Sequence, residues 1–462
     1  MGSRQLVLGM DIGTTSVKVC LYDIDSRELV AKQNKDTAAN IPSDLGSEGN
    51  KQDVPKIISA IHGCVSRLPK DLMKYVVKIG VCGQMHGVLL WKNEDDNKAW
   101  EAVEKDGMLV RYDARKTSVS ALYTWQDNRC KKEFLDSLPA PESHLKCFSG
   151  YGCATLLWLA RNKPEKLALF NRAGTIQDFV VAMMCNLDMP VMTTQNAASW
   201  GYFDTTSNTW NIKILENEKF PVSLLPKIIA SGQIGGTLQE TWYGIPQGTP
   251  VGAALGDLQC SFLATLETSN DAVLNISTSA QLGFVVDEIS EKLGTLEYLP
   301  YFNGKYLAVA ASLNGGNTMA TFVKMLQQWV MDLGFAVPQS KVWEKLITLG
   351  KDENASSSIV VNPVLLGERH SPEKYASVTN INLSNLSLGQ VFKGLCEGLI
   401  ANINSMMPRE ILVNANITRI LGNGSGLSRN VVLQKAVETC YNLPLVFTSG
   451  GDAAKGAAIS ML

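Results

Sequence analysis

Three features of the sequence predict an α/β protein of two domains. Short apolar strand patterns alternate with helical ones along most of its 462 residues. The turn Ile245-Pro246-Gln247-Gly248-Thr249-Pro250 sets two prolines around a glycine near mid-chain, and a strand, hydroxyl turn and strand near the N-terminus recur beyond that turn. One core is unusual at this length. The boundary is therefore placed there, giving domains 1–249 and 250–462.

The composition narrows the class of partner. Hydrophobic residues make up 45% and charged residues 19%, which suits packed cores and excludes a disordered chain. Lys and Arg number 42 against 44 Asp and Glu, so nothing points to nucleic acid or an anionic membrane. A small-molecule ligand fits better. The ten cysteines are scattered without a Cys-x-x-Cys pair and read as reduced thiols. Met-Gly-Ser-Arg-Gln leads straight into a strand without a signal-like apolar segment, and apolar runs such as Phe179 to Cys185 fall short of the roughly 20 residues of a bilayer span. A cytoplasmic protein is expected; oligomeric state is not legible.

Taken in order, the first element is the stretch Gly9-Met10-Asp11-Ile12-Gly13-Thr14-Thr15-Ser16-Val17-Lys18. Leu6, Val7 and Leu8 precede it as a buried strand, and Val17, Val19 and Leu21 alternate with Lys18, Cys20 and Tyr22 after it. As a phosphate grip, the turn offers backbone N–H groups, three hydroxyls and no Cβ at Gly13 to block close approach. Lys18 would add positive charge, and Asp11 a carboxylate suited to hydrated Mg2+. As an ordinary hairpin it binds nothing; these residues alone leave both readings open.

Residues 36–53 are polar and read as a surface loop. Val54, Ile57, Ile58, Ile61 and Val65 then fall at helical spacing. A second core strand runs through Val76, Val77, Ile79 and Val81 into Cys82-Gly83-Gln84-Met85-His86-Gly87, where two glycines bracket three side chains able to face a cleft. His86 is either a satisfied core histidine or a ligand-binding one. Beyond a charged excursion comes Thr124-Trp125-Gln126-Asp127-Asn128-Arg129. A flat aromatic, an amide, a carboxylate and a guanidinium suit a polyol, whose hydroxyls need donors and acceptors while its C–H face packs on a ring. A buried Trp beside a surface Asp–Arg pair is the alternative. Helical patterns follow over 153–162 and 177–186, and the Thr/Gln/Asn/Ser-rich segment 193–200 reads as a strand-turn.

Past the boundary, Val251 to Leu255 is a strand, Gly256 a turn, and Asp257 heads a helical pattern over 258–266. That aspartate is either an N-cap worth ~1 kcal/mol or a general base aimed into an interdomain cleft. Ala272 to Asp287 then repeats the opening design, with Ser277, Thr278 and Ser279 in the turn. Ala310 to Asn317 ends a strand before a helix over 318–333, and Gly367-Glu368-Arg369-His370-Ser371-Pro372 follows without an assigned role. Near the end, Arg419, Ile420 and Leu421 enter Gly422-Asn423-Gly424-Ser425-Gly426-Leu427-Ser428-Arg429 and a helix to Tyr441. Glycines before a helix let a flat or anionic ligand touch backbone, although the acidic ribose partner of a dinucleotide fold is missing. Gly450-Gly451-Asp452 opens a last helix of small residues.

In this order, the motifs resemble the FGGY family of carbohydrate kinases over essentially the whole chain. The resemblance implies the actin/hexokinase-like (ribonuclease H-like) ATPase fold, two domains with an interdomain cleft, and cleft closure over substrates. It implies that Asp11 orients Mg2+, that Thr14, Thr15 and Lys18 lie along the phosphates of ATP, that Ser277 and Thr278 form a second phosphate hairpin, and that Gly424, Ser425, Gly426 and Arg429 line the adenosine pocket. Met85, His86 and Asp127 would contact sugar with Gln84 and Trp125 close by, and Asp257 would be the catalytic base. The expected reaction is phosphorylation of a primary hydroxyl of a ketose, sedoheptulose to its 7-phosphate for the pentose phosphate pathway, with xylulose or another sugar or polyol as the alternative. Two departures stand out. Ser277 occupies a position where many relatives have Gly, and Leu258 follows Asp257 where many have Asn or Gln, leaving Gln259 as a substitute sugar contact. An actin-like or chaperone-like ATPase, or a sugar-sensing regulator without turnover, are the competing readings.

Overall fold

The computed structural model describes residues 4–94, 97–105, 108–289, 295–352, 359–371, 373–448 and 451–462. Pro372 and Gly450, parts of two motifs named above, lie outside the described residues. The chain forms two compact units. One comprises Met1–Ala264, Pro300–Gly304 and Asp452–Leu462, the other Thr265–Leu299 and Lys305–Gly451.

The first unit is built on a seven-stranded sheet whose path runs Ile234–Thr237, Pro250–Gly252, Val76–Gly83, Leu6–Ile12, Ser16–Asp23, Leu29–Asp36, with Leu255–Gly256 also pairing to Val76–Gly83. Leu6–Ile12 runs antiparallel to Ser16–Asp23 with Asp11 opposite Lys18, and parallel to Val76–Gly83 with Ile12 opposite Gly83. The predicted carboxylate and lysine are thus cross-strand partners. Leu6, Leu8, Met10 and Ile12 point into the main core with Ile57 and Ile61 of the helix Val54–Val65. Val7 lies in a second cluster with Cys20, Tyr22, Ala454 and Ala458. Both faces of the strand are buried, which explains its continuous apolar run.

Two sequence expectations about organisation are corrected. Pro250–Gly252 and Leu255–Gly256 pair with Val76–Gly83, so residues 250–264 belong to the first unit and not to the second. The last helix, Ala453–Ile459, also returns to the first sheet. A Cβ on Gly9 would lie 2.0 Å from the Ala454 carbonyl oxygen and one on Gly80 1.9 Å from that of Ala457, so helix backbone rests directly on strand backbone. The segment read as a strand-turn is the helix Thr194–Trp200. Its weak helix formers are held by tertiary bonds: Asn196 Nδ2 donates to the Ala254 carbonyl at 3.0 Å, and Gln195 Oε1 accepts the Gly256 N–H at 3.2 Å. Local propensity yields to such contacts.

The second unit carries a six-stranded sheet ordered Glu297–Pro300, Tyr306–Ser312, Ala280–Val286, Asp271–Ile276, Arg419–Asn423, Leu445–Phe447. The predicted echo is present: Asp271–Ile276 and Ala280–Val286 are antiparallel, closing on Ile276 opposite Ala280. Asp271–Ile276 runs parallel to Arg419–Asn423 with Asn275 opposite Asn423. The hydroxyl turn and the glycine loop therefore leave the same edge of the sheet. Phe392, Leu395 and Leu399 of Leu388–Met406 and Leu433 and Val437 of Val431–Tyr441 cover it.

Gly80→Ala should lower stability by about 3 kcal/mol, because neither backbone can give way to the added methyl. A thermal melt followed by circular dichroism reads this directly. An unchanged midpoint would mean the last helix is not seated as described.

Candidate active site

The first hairpin is shaped from behind. The Gly13 N–H donates to the Ser16 carbonyl at 3.1 Å, and the Thr14 carbonyl accepts from Gln52 Nε2 at 2.7 Å and Thr37 Oγ1 at 3.2 Å. Thr15 is exposed at the tip. Thr14 behaves differently: its hydroxyl accepts the Trp125 indole N–H at 3.0 Å and donates to Gln84 Oε1 at 3.3 Å. A phosphate oxygen needs a donor, and the one hydroxyl proton of Thr14 is spent on Gln84. The Thr14 side chain ties the hairpin to Trp125 and Gln84.

Asp11 is 4% exposed. Its Oδ2 faces Lys18 Nζ at 3.4 Å, and its buried Oδ1 has no hydrogen-bond partner. Burial pushes the Asp11 carboxyl up to about 6; Lys18 pulls against that and the charge of Asp452 adds to it. Asp257 begins the helix Asp257–Thr265, and its carboxyl is pushed up to about 7 by burial, with the Asp11 charge contributing and Lys18 opposing. Asp452 N-caps the last helix through the Ala454 N–H at 3.1 Å. Three carboxylates and one lysine from four places in the chain thus share one electrostatic environment. A carboxyl near neutrality suits general-base work.

On the sugar-predicted side, His86 has a left-handed backbone, φ 72°. Its N–H donates to Ser199 Oγ at 3.2 Å, and its Nδ1 lies 2.8 Å from the Ser199 carbonyl oxygen. A carbonyl only accepts, so Nδ1 carries the proton and, in the neutral ring, Nε2 the lone pair. The ring stacks on Tyr151 at 4.3 Å between centroids. Trp125 is partly exposed. Met85 is 5% exposed, its sulfur against Gly256 immediately before Asp257.

Gln84 and Asp127 are both held by neighbouring side chains and backbone. Gln84, 2% exposed, spends its amide on Thr14 and on Gln52 Oε1 at 3.1 Å. Asp127, 1% exposed, is gripped by Arg129 through Nε at 2.6 Å and Nη2 at 2.9 Å, and by the Asn50 N–H at 2.9 Å. The Asp–Arg pair exists but is buried, with the guanidinium over the rings of Tyr123 at 4.2 Å and Trp158 at 5.1 Å. Gln259 is fully buried; its Nε2 donates to the Pro300 carbonyl at 3.2 Å and its Oε1 has no hydrogen-bond partner.

In the second unit, Ser277 and Thr278 are exposed. The adjacent loop lies tight against their strand: Gly424 has φ 87°, and a Cβ there would sit 2.3 Å from the Ile276 carbonyl oxygen, a position only glycine fills without strain. Ser425 and Arg429 are exposed beside it. Sequence reasoning missed Gln52, Tyr151, Ser199 and Gln195, which carry no local signature. Asp452 stood in a marked motif, but nothing local placed it near Asp11.

Arg129→Met should leave Asp127 buried and uncompensated and cost about 3–5 kcal/mol. Calorimetric unfolding of the variant checks this; a loss below about 1 kcal/mol would show the pair to be surface-like.

Residues 6–264 match the model of the N-terminal domain of the FGGY family of carbohydrate kinases. The whole chain is 45% identical to human sedoheptulokinase, covering 98% of that protein, and 45% identical to the mouse sedoheptulokinase over the same share. In fold, 99% of the chain superposes on 90% of the xylulose kinase from Rhodospirillum rubrum with a TM-score of 0.80 at 18% identity. The whole chain superposes on 89% of Plasmodium falciparum glycerol kinase with ADP at 0.77 and 16%. These likenesses set aside the actin-like and chaperone-like reading and leave one conclusion: the chain belongs to the FGGY family of carbohydrate kinases.

Proposed function

We propose that this carbohydrate kinase transfers the γ-phosphoryl group of ATP to a primary hydroxyl of sedoheptulose, with xylulose as the next acceptor. The 45% identity to sedoheptulokinases over the full chain supports the choice of sugar. One observation supports the chemistry above all: Asp257 heads its helix with a carboxyl raised to about 7 beside Asp11.

Phosphoryl transfer asks for position and charge more than covalent chemistry. Asp257 takes the proton of the attacking hydroxyl as the O–P bond forms. His86 Nε2, fixed by Ser199 and Tyr151, accepts from a sugar hydroxyl, and the Trp125 ring offers a face to the sugar C–H groups. Lys18 and the Thr15 hydroxyl are read as phosphate contacts; Ser277 and Thr278 are read likewise, and Gly424, Ser425, Gly426 and Arg429 as adenosine contacts. The orphaned Asp11 Oδ1, with Asp452 near, fits a hydrated Mg2+. Among the described residues no group of three or more His, Cys, Asp or Glu is placed to hold a metal alone, in keeping with Mg2+ bound through one or two carboxylates plus phosphates and water. When bound, the ion neutralises charge on the transferring group. All ten cysteines are free, which favours the cytosol; among the described residues no helix is long and apolar enough to cross a membrane.

ADP release coupled to a chromogenic assay, run over ketoses, polyols and aldoses, should give the highest kcat/KM with sedoheptulose. A higher value for xylulose would reassign the acceptor, and ADP release indifferent to every sugar would sink the kinase reading. Asp257→Ala should lower kcat by roughly 10²–10⁴ while ATP still binds; near-normal turnover removes Asp257 from the base role.

A further inference from the structure

Gly367-Glu368-Arg369-His370-Ser371 plays no part in the reaction as set out above. Its glutamate is 1% exposed and is met by donors alone. Ser312 Oγ donates to it at 2.5 Å, the Leu313 N–H at 3.1 Å, Asn314 Nδ2 at 3.0 Å and Asn402 Nδ2 at 2.7 Å. Four donor groups thus converge on the two carboxyl oxygens. The stitching also runs the other way. Asn314 Oδ1 accepts the Leu366 N–H at 3.1 Å, and its Nδ2 donates to the Gly367 carbonyl at 2.8 Å.

What is held is the turn between the strand Tyr306–Ser312 and the helix Gly316–Asp332. That turn carries the second hairpin. The Gly316 N–H donates to the Ser277 carbonyl at 2.9 Å, and the Asn317 N–H to the Thr278 carbonyl at 3.0 Å. With both carbonyls tied inward, the Thr278 hydroxyl is left at the exposed tip, beside a Ser277 hydroxyl that donates to Asn275 Oδ1 at 3.2 Å.

We propose that Glu368 is a positioning residue for the nucleotide phosphates, acting through the 313–317 turn on the Ser277–Ser279 hairpin. The inference rests on the reading of that hairpin as a phosphate contact. It predicts a specific asymmetry, since His86 and Trp125, the residues proposed to face the sugar, belong to the first unit and Glu368 to the second.

The test is Glu368→Gln in the full chain, which keeps the shape but turns an amide N–H2 against donors. KM for ATP and the Kd of ADP should rise about tenfold, the effect of one charged hydrogen bond, while KM for the preferred ketose stays put. Equal losses on both substrates, or a lower melting temperature with unchanged nucleotide affinity, would show a merely structural role and overturn the proposal. Ser277→Ala/Thr278→Ala measured alongside separates the two layers. If that variant binds ATP normally, the phosphate reading of the hairpin falls and the proposal with it; if it weakens ATP and Glu368→Gln does not, only the positioning role falls. Should Glu368→Gln not fold, Asn402→Ala removes one donor and should shift KM for ATP in the same direction by a smaller factor. Unchanged ATP kinetics there would overturn the proposal as well.

Discussion

Asp11, Asp257 and Asp452 come from the beginning, middle and end of the chain, and backbone lying directly on backbone is what brings them together. The last helix rests its carbonyls on Gly9 and Gly80, and Gly456 of the same helix would place a Cβ 1.8 Å from the Cys260 carbonyl oxygen, one turn into the Asp257 helix. With no side chain between them, these elements have no rotamer through which to slide. The carboxylates inherit that fixity. Burial first, and then the charge of Asp452 on Asp11 and of Asp11 on Asp257, raises the Asp11 and Asp257 carboxyls to about 6 and about 7, an electrostatic setting that a nearby cation would relieve.

Thr14 is the second node. Through Trp125 on one side and Gln84 on the other, the hairpin is continuous with the residues read as sugar-facing. Behind it, Gln52, Gln84 and Gln177 form a buried amide layer: Gln84 donates to Gln52, and Gln177 Nε2 donates to the Gln84 carbonyl at 3.1 Å. Amides suit this place because each can both donate and accept without introducing charge, although Gln177 Oε1 and Gln195 Nε2 are buried without a partner. Gln195, which bonds the Gly256 N–H, extends the same device to the residue before Asp257.

Much of this was legible in the sequence because the signals are local. Apolar runs flanking a hydroxyl turn specify a hairpin wherever they occur, and they do so at Asp271–Ile276 and Ala280–Val286 as at the N-terminus. The glycine loop before Val431–Tyr441 announced itself in the same way. Partnerships across the fold were not legible. Nothing near Asp127 says that Arg129 curls back to take both its oxygens inside a cage of Tyr123 and Trp158, since the same residues on a surface would read alike. Nothing near Ala453 says that the chain returns to strands laid down hundreds of residues earlier. Thr194–Trp200 looked like an extended segment because its composition favours one, and only its buried amide bonds make a helix the better state.

The conformation of His86 bears on how this enzyme could change its diet. A left-handed backbone at φ 72° is tolerated by Gly and Asn far more readily than by branched or bulky residues. Substitution at this position therefore meets a foldability filter first. Tyr151, stacked on the imidazole and carried by an ordinary extended backbone, is under no such restriction. With His86 in the sugar-binding role proposed above, acceptor range in this scaffold would be easier to diversify through the ring that supports the histidine than through the histidine itself.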